Sequence, residues 1–218
     1  LAALQTLAAA WRREVNPQVF GITGSSGKTT VKEMLAAVLR HAFGADAVLA
    51  TTGNFNNHIG LPLTLLALRD QRYAVIEMGM NHAGELAALT RIARPDAALV
   101  NNAQRAHVGC GFDGTADIAR AKSEIYQGLA ADGTALVPME DAHAAIFQAA
   151  CAELGVNTQT FGIESGDVHA QNIVLQPFES TFDLVCGSET ASVSLPVPGR
   201  HNVHNAVAAA ALALAAGL

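Results

Sequence analysis

A chain of 218 residues, half of them hydrophobic and only 15% charged, can bury a full core and is too apolar to remain disordered. Its formal net charge of −6, with no basic run to offset it, excludes a nucleic-acid binder that works by neutralising phosphates along its surface. The three cysteines, Cys110, Cys151 and Cys186, are far apart and outside any metal-ligand spacing, so reduced thiols in a cytoplasmic protein are expected.

Taken in order, residues 1–15 read as a helix with Leu1, Leu4, Leu7, Ala8 and Trp11 on one stripe and a stop at Asn16-Pro17. This helix reads as an entry helix arriving from something upstream, and with Leu1 first and both ends in helical pattern the chain reads as a piece of a longer polypeptide. The run Val19-Phe20-Gly21-Ile22-Thr23 is β-prone and enters the turn Gly24-Ser25-Ser26-Gly27, after which Lys28-Thr29-Thr30 opens an amphipathic helix. Val31, Met34, Leu35, Val38 and Leu39 form its apolar stripe. The strict phosphate-loop pattern fails at Ile22, where a further glycine is usual, but the parts with physical roles remain. Gly24 and Gly27 let backbone N–H groups approach a ligand, the helix start favours an anion, Lys28 can reach outer phosphates, and Thr29 can ligate Mg²⁺. A nucleoside triphosphate site is therefore expected at residues 24–30.

Val48 to Thr52 is β-prone and leads into Gly53-Asn54-Phe55-Asn56-Asn57-His58-Ile59-Gly60, a polar loop before a helix over Pro62 to Leu68. Asparagines in a connector ordinarily mark a turn, since Asn tolerates left-handed backbone. Tyr73 to Glu77 is a buried-strand run ending in a carboxylate. In open α/β sheets ligands gather beyond the carboxyl ends of parallel strands, so Glu77 faces the same crevice as the phosphate loop and is placed as a metal ligand. Its other reading is a carboxylate that helps to cap the helix around Gly84 to Arg91.

Ala97 to Val100 is a third such strand, ending at Asn101-Asn102, with His107 in the loop beyond it. Around Asp117 to Leu129 a helix is predicted in which Ile118, Lys122, Ile125 and Leu129 share one face, so Lys122 lies with the apolar stripe. Burial favours the neutral amine, a nucleophile that can take up CO₂ as a carbamate and so become a metal-binding anion. The alternative is a lysine whose stem lies on the core edge while its end reaches water.

Thr134 to Pro138 is a further strand, Asp141 can cap a helix to about Leu154, and Thr158 to Gly162 is another strand. Asn172 to Gln176, Thr181 to Cys186 and Ala191 to Leu195 then read as an antiparallel meander. Asn202 and Asn205 stand three apart at the start of an alanine-rich helix, where both amides can face one ligand or Asn202 can cap. The run from Ala206 to Ala216 is shorter than the roughly 20 residues that cross a bilayer, and no secretory signal is visible. The fold class is α/β: a mostly parallel sheet of the phosphate-loop type flanked by helices, with an added antiparallel β meander.

The ordered set Thr23 to Thr30, Gly53 to Pro62, Glu77-Met78-Gly79, His107, Ala121-Lys122-Ser123-Glu124-Ile125 and Gly199 to Asn205 resembles the central domain of the Mur ligases, nearly from end to end. Within that family it is most similar to the branch that joins D-alanyl-D-alanine to UDP-N-acetylmuramoyl-tripeptide. The resemblance implies residues 16–218 as the central ATP-binding domain, residues 1–15 as an entry helix from a missing N-terminal domain, and a C-terminal domain absent from this chain. It implies ATP and two Mg²⁺ ions as cofactors. Gly24, Ser25, Ser26, Gly27, Lys28, Thr29 and Thr30 would bind the nucleotide phosphates, with Lys28 on the β/γ-phosphates. Thr29 and Glu77 would hold one Mg²⁺, and His107 and a carbamylated Lys122 the other. Asn202 and Asn205 would contact the adenine, and Asn54 and Asn57 would line the crevice for phosphate or the UDP-linked substrate.

The implied reaction is ATP-dependent amide formation through an acyl phosphate, with Lys28, His107 and Lys122 as catalytic residues. The implied enzyme is a cytoplasmic monomer with no nucleic-acid partner and no membrane insertion. Two other readings stand beside it: another Mur ligase or a folylpolyglutamate synthase, and a nucleotide-hydrolysing binding module that makes no bond.

Overall fold

Strands that are apolar on both faces need helices on both faces, and the computed structural model, which describes residues 1–105 and 111–218, is built that way. In chain order the elements are α1 (Ala2–Val15), β1 (Gln18–Thr23), α2 (Lys28–Phe43), β2 (Val48–Ala50), α3 (Gly60–Leu66), β3 (Tyr73–Glu77), α4 (Glu85–Ala93) and β4 (Ala97–Val100). They continue through α5 (Thr115–Ser123), β5 (Thr134–Pro138), α6 (Ala144–Leu154), β6 (Asn157–Gly162), β7 (Val168–Leu175), β8 (Ser180–Cys186), β9 (Glu189–Leu195) and α7 (Arg200–Ala215).

These strands form one sheet in the order β2-β3-β1-β4-β5-β6-β7-β8-β9. Pairing is parallel from β2 through β7 and antiparallel for β7 with β8 and β8 with β9, so the expected meander extends the main sheet. Alternation within each central strand divides the core in two. Val19, Ala74, Ile76, Ala98 and Val100 pack on the side of α1, α3, α4, α5 and α6. Phe20, Ile22, Val75, Leu99 and Leu136 pack on the side of α2 and α7. The strand order reverses at β1, whose neighbours are β3 and β4, so the loop after β1 opens on a crevice between the loops after both.

Several local expectations need correction. The buried face of α1 carries Ala8 and Arg12, whereas Leu1 and Leu7 are exposed at 65% and 58%. The face is chosen by what lies opposite. Arg12 Nε donates to Ala93 O at 2.8 Å and Nη2 to Arg94 O at 2.9 Å, closing the C-terminus of α4. On α2, Val38 is exposed, and the buried face instead includes Ala36 and Lys32.

The helix expected to run to Leu129 ends at Ser123 and tightens into a 3-10 turn over Glu124–Gly128. Bonds to α4 draw that segment in: Thr90 Oγ1 donates to Ile125 O at 2.7 Å, and Gly128 sits so close to the Thr90 backbone that a Cβ has no room. Strand β7 begins at Val168 rather than Asn172, which instead takes a positive φ of 54° inside an irregularity of the β7–β8 ladder. Asp141 does not cap α6 directly; its oxygens accept from His143 N and Ala103 N, at 2.8 Å each. Among the described residues, no helix is long and apolar enough to cross a membrane.

Arg12→Met keeps much of the buried volume but strands two carbonyls at the end of α4. It is expected to lower stability by about 2–4 kcal/mol, read as a lower urea midpoint at unchanged slope.

Candidate active site

Strand β1 delivers the chain to Gly24 at the point of strand reversal, and α2 starts four residues later. Gly27 has a φ of 76°, and a Cβ there would collide with the carboxamides of Asn101 and Asn205, so only glycine fits. No side chain caps the start of α2, which leaves its first amides directed at the crevice.

The loop is fastened from behind by the residues after β4. Asn102 Oδ1 accepts from Ser25 N at 3.1 Å and Ser26 N at 3.0 Å, while Ser26 O accepts from Asn101 Nδ2 at 3.0 Å and Asn102 Nδ2 at 3.2 Å. Ser25 Oγ donates to Gln104 O at 3.1 Å and accepts from Gln104 N at 2.8 Å, so this side chain anchors the following loop to the phosphate loop. Thr23 Oγ1 and Asn101 Oδ1, both buried beside Gly24, have no hydrogen-bond partner among the described residues.

On the front of the loop, Thr29 Oγ1 donates to Glu77 Oε2 at 2.9 Å and Asn56 Nδ2 donates to Glu77 Oε1 at 2.7 Å. Glu77 therefore belongs to the phosphate loop and does not cap α4; Glu124 does that, its two oxygens accepting from Gly84 N at 2.8 and 2.9 Å and one of them from Ala87 N at 3.2 Å. A cavity of about 390 Å³ is walled by residues 25–30, Gly53, Asn54, Asn56 and Glu77. Lys28 Nζ reaches back to Gly24 O at 2.8 Å. Burial lowers the Lys28 pKa, and the nearby Glu77 carboxylate opposes that shift.

A second cavity of about 660 Å³ adjoins the first and includes Lys28, Asn56, Asn57, Gly79, Glu85 and Lys122. Lys122 is 1% exposed, so its end does not reach water as the snorkelling alternative required. Burial, and after it the charge of Lys28, push its pKa down from 10.5 to about 7. Asn57 lines this cavity, but its Oδ1 accepts from Ile59 N at 3.0 Å and Gly60 N at 2.9 Å, shaping the turn into α3. His107 lies outside the described residues, as does Cys110.

A third cavity, of about 670 Å³, opens on the other side of the loop and includes Ser26, Gly27, Thr30, Asn202 and Asn205. Asn205 is buried and its Oδ1 accepts from Asn101 Nδ2 at 3.0 Å, so it braces the loop from α7. Asn202 Nδ2 donates to Pro198 O at 2.7 Å and does not cap α7.

Sequence reasoning does not single out two participants. Asn56 is the asparagine of its loop that reaches Glu77, and Lys32 is a fully buried lysine on α2 whose Nζ donates to Thr51 O at 2.7 Å. One clue to Asn56 was available: Gly79 gives it room, since a Cβ there would stand 3.0 Å from Asn56 Oδ1. Among the described residues no three His, Cys, Asp or Glu side chains gather. A cation beside Glu77 would therefore take hard oxygen donors from a hydroxyl, one carboxylate, phosphate and water, which suits Mg²⁺.

Comparison with known proteins fits this geometry. Residues 22–213 match the family described as the Mur ligase middle domain. The UDP-N-acetylmuramoyl-tripeptide–D-alanyl-D-alanine ligase of Haemophilus influenzae is 45% identical over 217 residues, which is 99% of this chain and 46% of that protein. The crystal structure of MurF from Acinetobacter baumannii superposes with a TM-score of 0.94 at 42% identity, over all of this chain and 47% of that one. MurF ligase from Thermotoga maritima, crystallised in complex with ADP, gives 0.85 at 27% identity, covering 99% of this chain and 49% of that one. The chain thus spans about half the length of the relatives it matches.

The Lys122 shift has a definite sign for stability. The folded state holds this group near 7 and the unfolded chain near 10.5, so between those values the unfolded state binds more protons and stability rises with pH. Lys122→Met removes the cost of burying the charged form. It is expected to stabilise the protein by on the order of a few kcal/mol at pH 6, with the gain shrinking as pH climbs past 7, measured as urea unfolding across a pH series.

Proposed function

The chain belongs to the Mur ligase family, matching its middle domain, and on that premise we propose that it is the ATP-binding core of an enzyme joining D-alanyl-D-alanine to UDP-N-acetylmuramoyl-tripeptide. The observation that carries this reading is the hydroxyl–carboxylate pair Thr29–Glu77, 2.9 Å apart at the uncapped start of α2, in a crevice that also holds Lys28 and Lys122. Residues 16–218 form the central domain in this reading, residues 1–15 lead in from an N-terminal domain, and a C-terminal domain completes the enzyme. It is the reading of a cytoplasmic monomer acting in peptidoglycan precursor synthesis.

The chemistry starts from two anions that must meet, a triphosphate and a peptide carboxylate. Residues 24–30 cradle the phosphates, with the uncapped amides at the start of α2 donating to them, and Lys28 exchanges the Gly24 carbonyl for the β/γ-phosphate oxygens. Thr29 and Glu77 would hold one Mg²⁺, and His107 with a carbamylated Lys122 the other. When bound, these ions neutralise charge between the γ-phosphate and the carboxylate.

With a pKa near 7, Lys122 is substantially a neutral amine at neutral pH. That amine adds to CO₂, losing a proton to solvent, and replaces a buried cation with an anion. The carboxylate oxygen of the tripeptide then attacks the γ-phosphorus, breaking its bond to the ADP oxygen and leaving an acyl phosphate. The amine of D-alanyl-D-alanine attacks the acyl carbon, phosphate departs, and the amine gives up a proton. Asn54 and Asn57 border the path of the UDP-linked substrate. Asn202 and Asn205 line the cavity across the loop, where the adenine would lie.

In the full-length protein, phosphate release from ATP is expected to require both acceptors together; equal hydrolysis with and without them would overturn the proposal in favour of a nucleotide-hydrolysing module. Lys28→Ala should lower turnover at least about 100-fold with folding retained. Lys122→Ala should abolish ligation, with partial recovery on addition of short carboxylates such as acetate, assayed by product formation.

A further inference from the structure

Lys32 is among the largest fully buried side chains in the protein, 1% exposed, one helical turn beyond Lys28. Burying a lysine end costs several kcal/mol unless it is paired, and neither phosphate binding nor the core of α2 calls for a second lysine there. Its Nζ lies 2.8 Å from Glu33 Oε1, but that carboxylate is largely exposed and comes from the adjacent residue. The long-range partner is Thr51 O at 2.7 Å.

Thr51 is itself 1% exposed and follows β2, a strand of three residues. Its polar groups are divided between β3 and α2. Its N donates to Val75 O at 3.0 Å, its O accepts from Lys32 on α2, and its Oγ1 accepts from Glu77 N at 3.0 Å. The β2–β3 ladder ends at the pair Ala50–Val75, so beyond it the Thr51 hydroxyl supplies the acceptor for the Glu77 amide. One residue therefore ties α2, which carries Thr29, to the end of β3, which carries Glu77.

We infer that Lys32 is a positioning residue that acts through Thr51 to fix the spacing between Thr29 and Glu77, and with it the hold on the magnesium ion of a magnesium-nucleotide complex. The inference rests on the reading of this crevice as an ATP–magnesium site. Lys32 touches neither nucleotide nor metal in this arrangement. Without it, the Thr51 carbonyl loses its donor from α2, and helix and strand are free to shift. Metal sites tolerate only a few tenths of an ångström, and partners behind the ligands typically govern 10- to 100-fold in metal affinity.

The test uses the full-length protein with Lys32→Met, Thr51→Val and Thr51→Ser, and reads ADP binding by calorimetry with and without Mg²⁺. Lys32→Met and Thr51→Val are expected to leave metal-free ADP affinity within about twofold of the parent, to cut the strengthening by Mg²⁺ about tenfold, and to raise the Mg²⁺ needed for half-maximal turnover to match. Thr51→Ser keeps the hydroxyl and should restore the parental Mg²⁺ response. The inference is overturned if the valine and methionine variants respond to Mg²⁺ like the parent, or if they lose metal-free and Mg²⁺-supported binding alike, as a merely structural brace would. Should Lys32→Met fail to fold, Lys32→Leu is read in its place with the same expectation, and the valine–serine pair tests the Thr51 link to Glu77 separately. A parent that binds ADP without regard to Mg²⁺ would overturn the proposed function itself, and this inference with it.

Discussion

The crevice depends on a first turn of α2 that carries no side-chain cap while the loop before it is held by its neighbours. A helix start without a side-chain cap leaves N–H groups that must find another acceptor, and here they face a cavity. The cost of holding such a loop open is offset behind it, where Asn101, Asn102 and Gln104 occupy its other polar groups and Asn205 holds Asn101 in turn. Gly24 and Gly27 are the positions at which this packing comes too close for a Cβ. The loop is thus rigid on one side and receptive on the other, which is what prepaid electrostatic stabilisation requires.

Charge is distributed with the same economy. Lys28 and Lys122 border one cavity, and each is made less willing to carry a proton by burial, Lys122 further by Lys28. Glu77 lies on the Thr29 side of this pair and opposes the effect at Lys28. With Lys28 and Lys122 on one side and Glu77 on the other, the crevice suits an incoming polyanion, and the partial neutrality of Lys122 lowers the cost of burying two cations together.

Much of this was legible in the residues because it depends on local pattern. The parallel α/β architecture follows from apolar strands alternating with amphipathic helices, and Lys122 betrayed itself by breaking the apolar stripe it belongs to. What could not be read depended on partners distant in sequence. The buried face of α1 is decided by the Ala93 and Arg94 carbonyls, 81 and 82 residues away from Arg12. Asn54, Asn56 and Asn57 are equivalent by composition, and only the backbone path of their loop turns Asn56 toward Glu77 and Asn57 back to its own turn. Lys32 shares a helix face with Leu35, Ala36 and Leu39, but the carbonyl that accepts from it belongs to Thr51, just after β2 and 19 residues away. The early end of α5 likewise reflects bonds to α4 that no helical periodicity encodes.

The carboxylate of Glu124 grips the first amides of α4 two residues after Lys122. Gly84 and Glu85, at the start of α4, line the cavity that Lys122 also borders. The wall of this cavity is therefore joined through Glu124 to the segment that carries Lys122. A change in the residues that shape this wall is thereby also a change in what holds the Lys122 segment against α4.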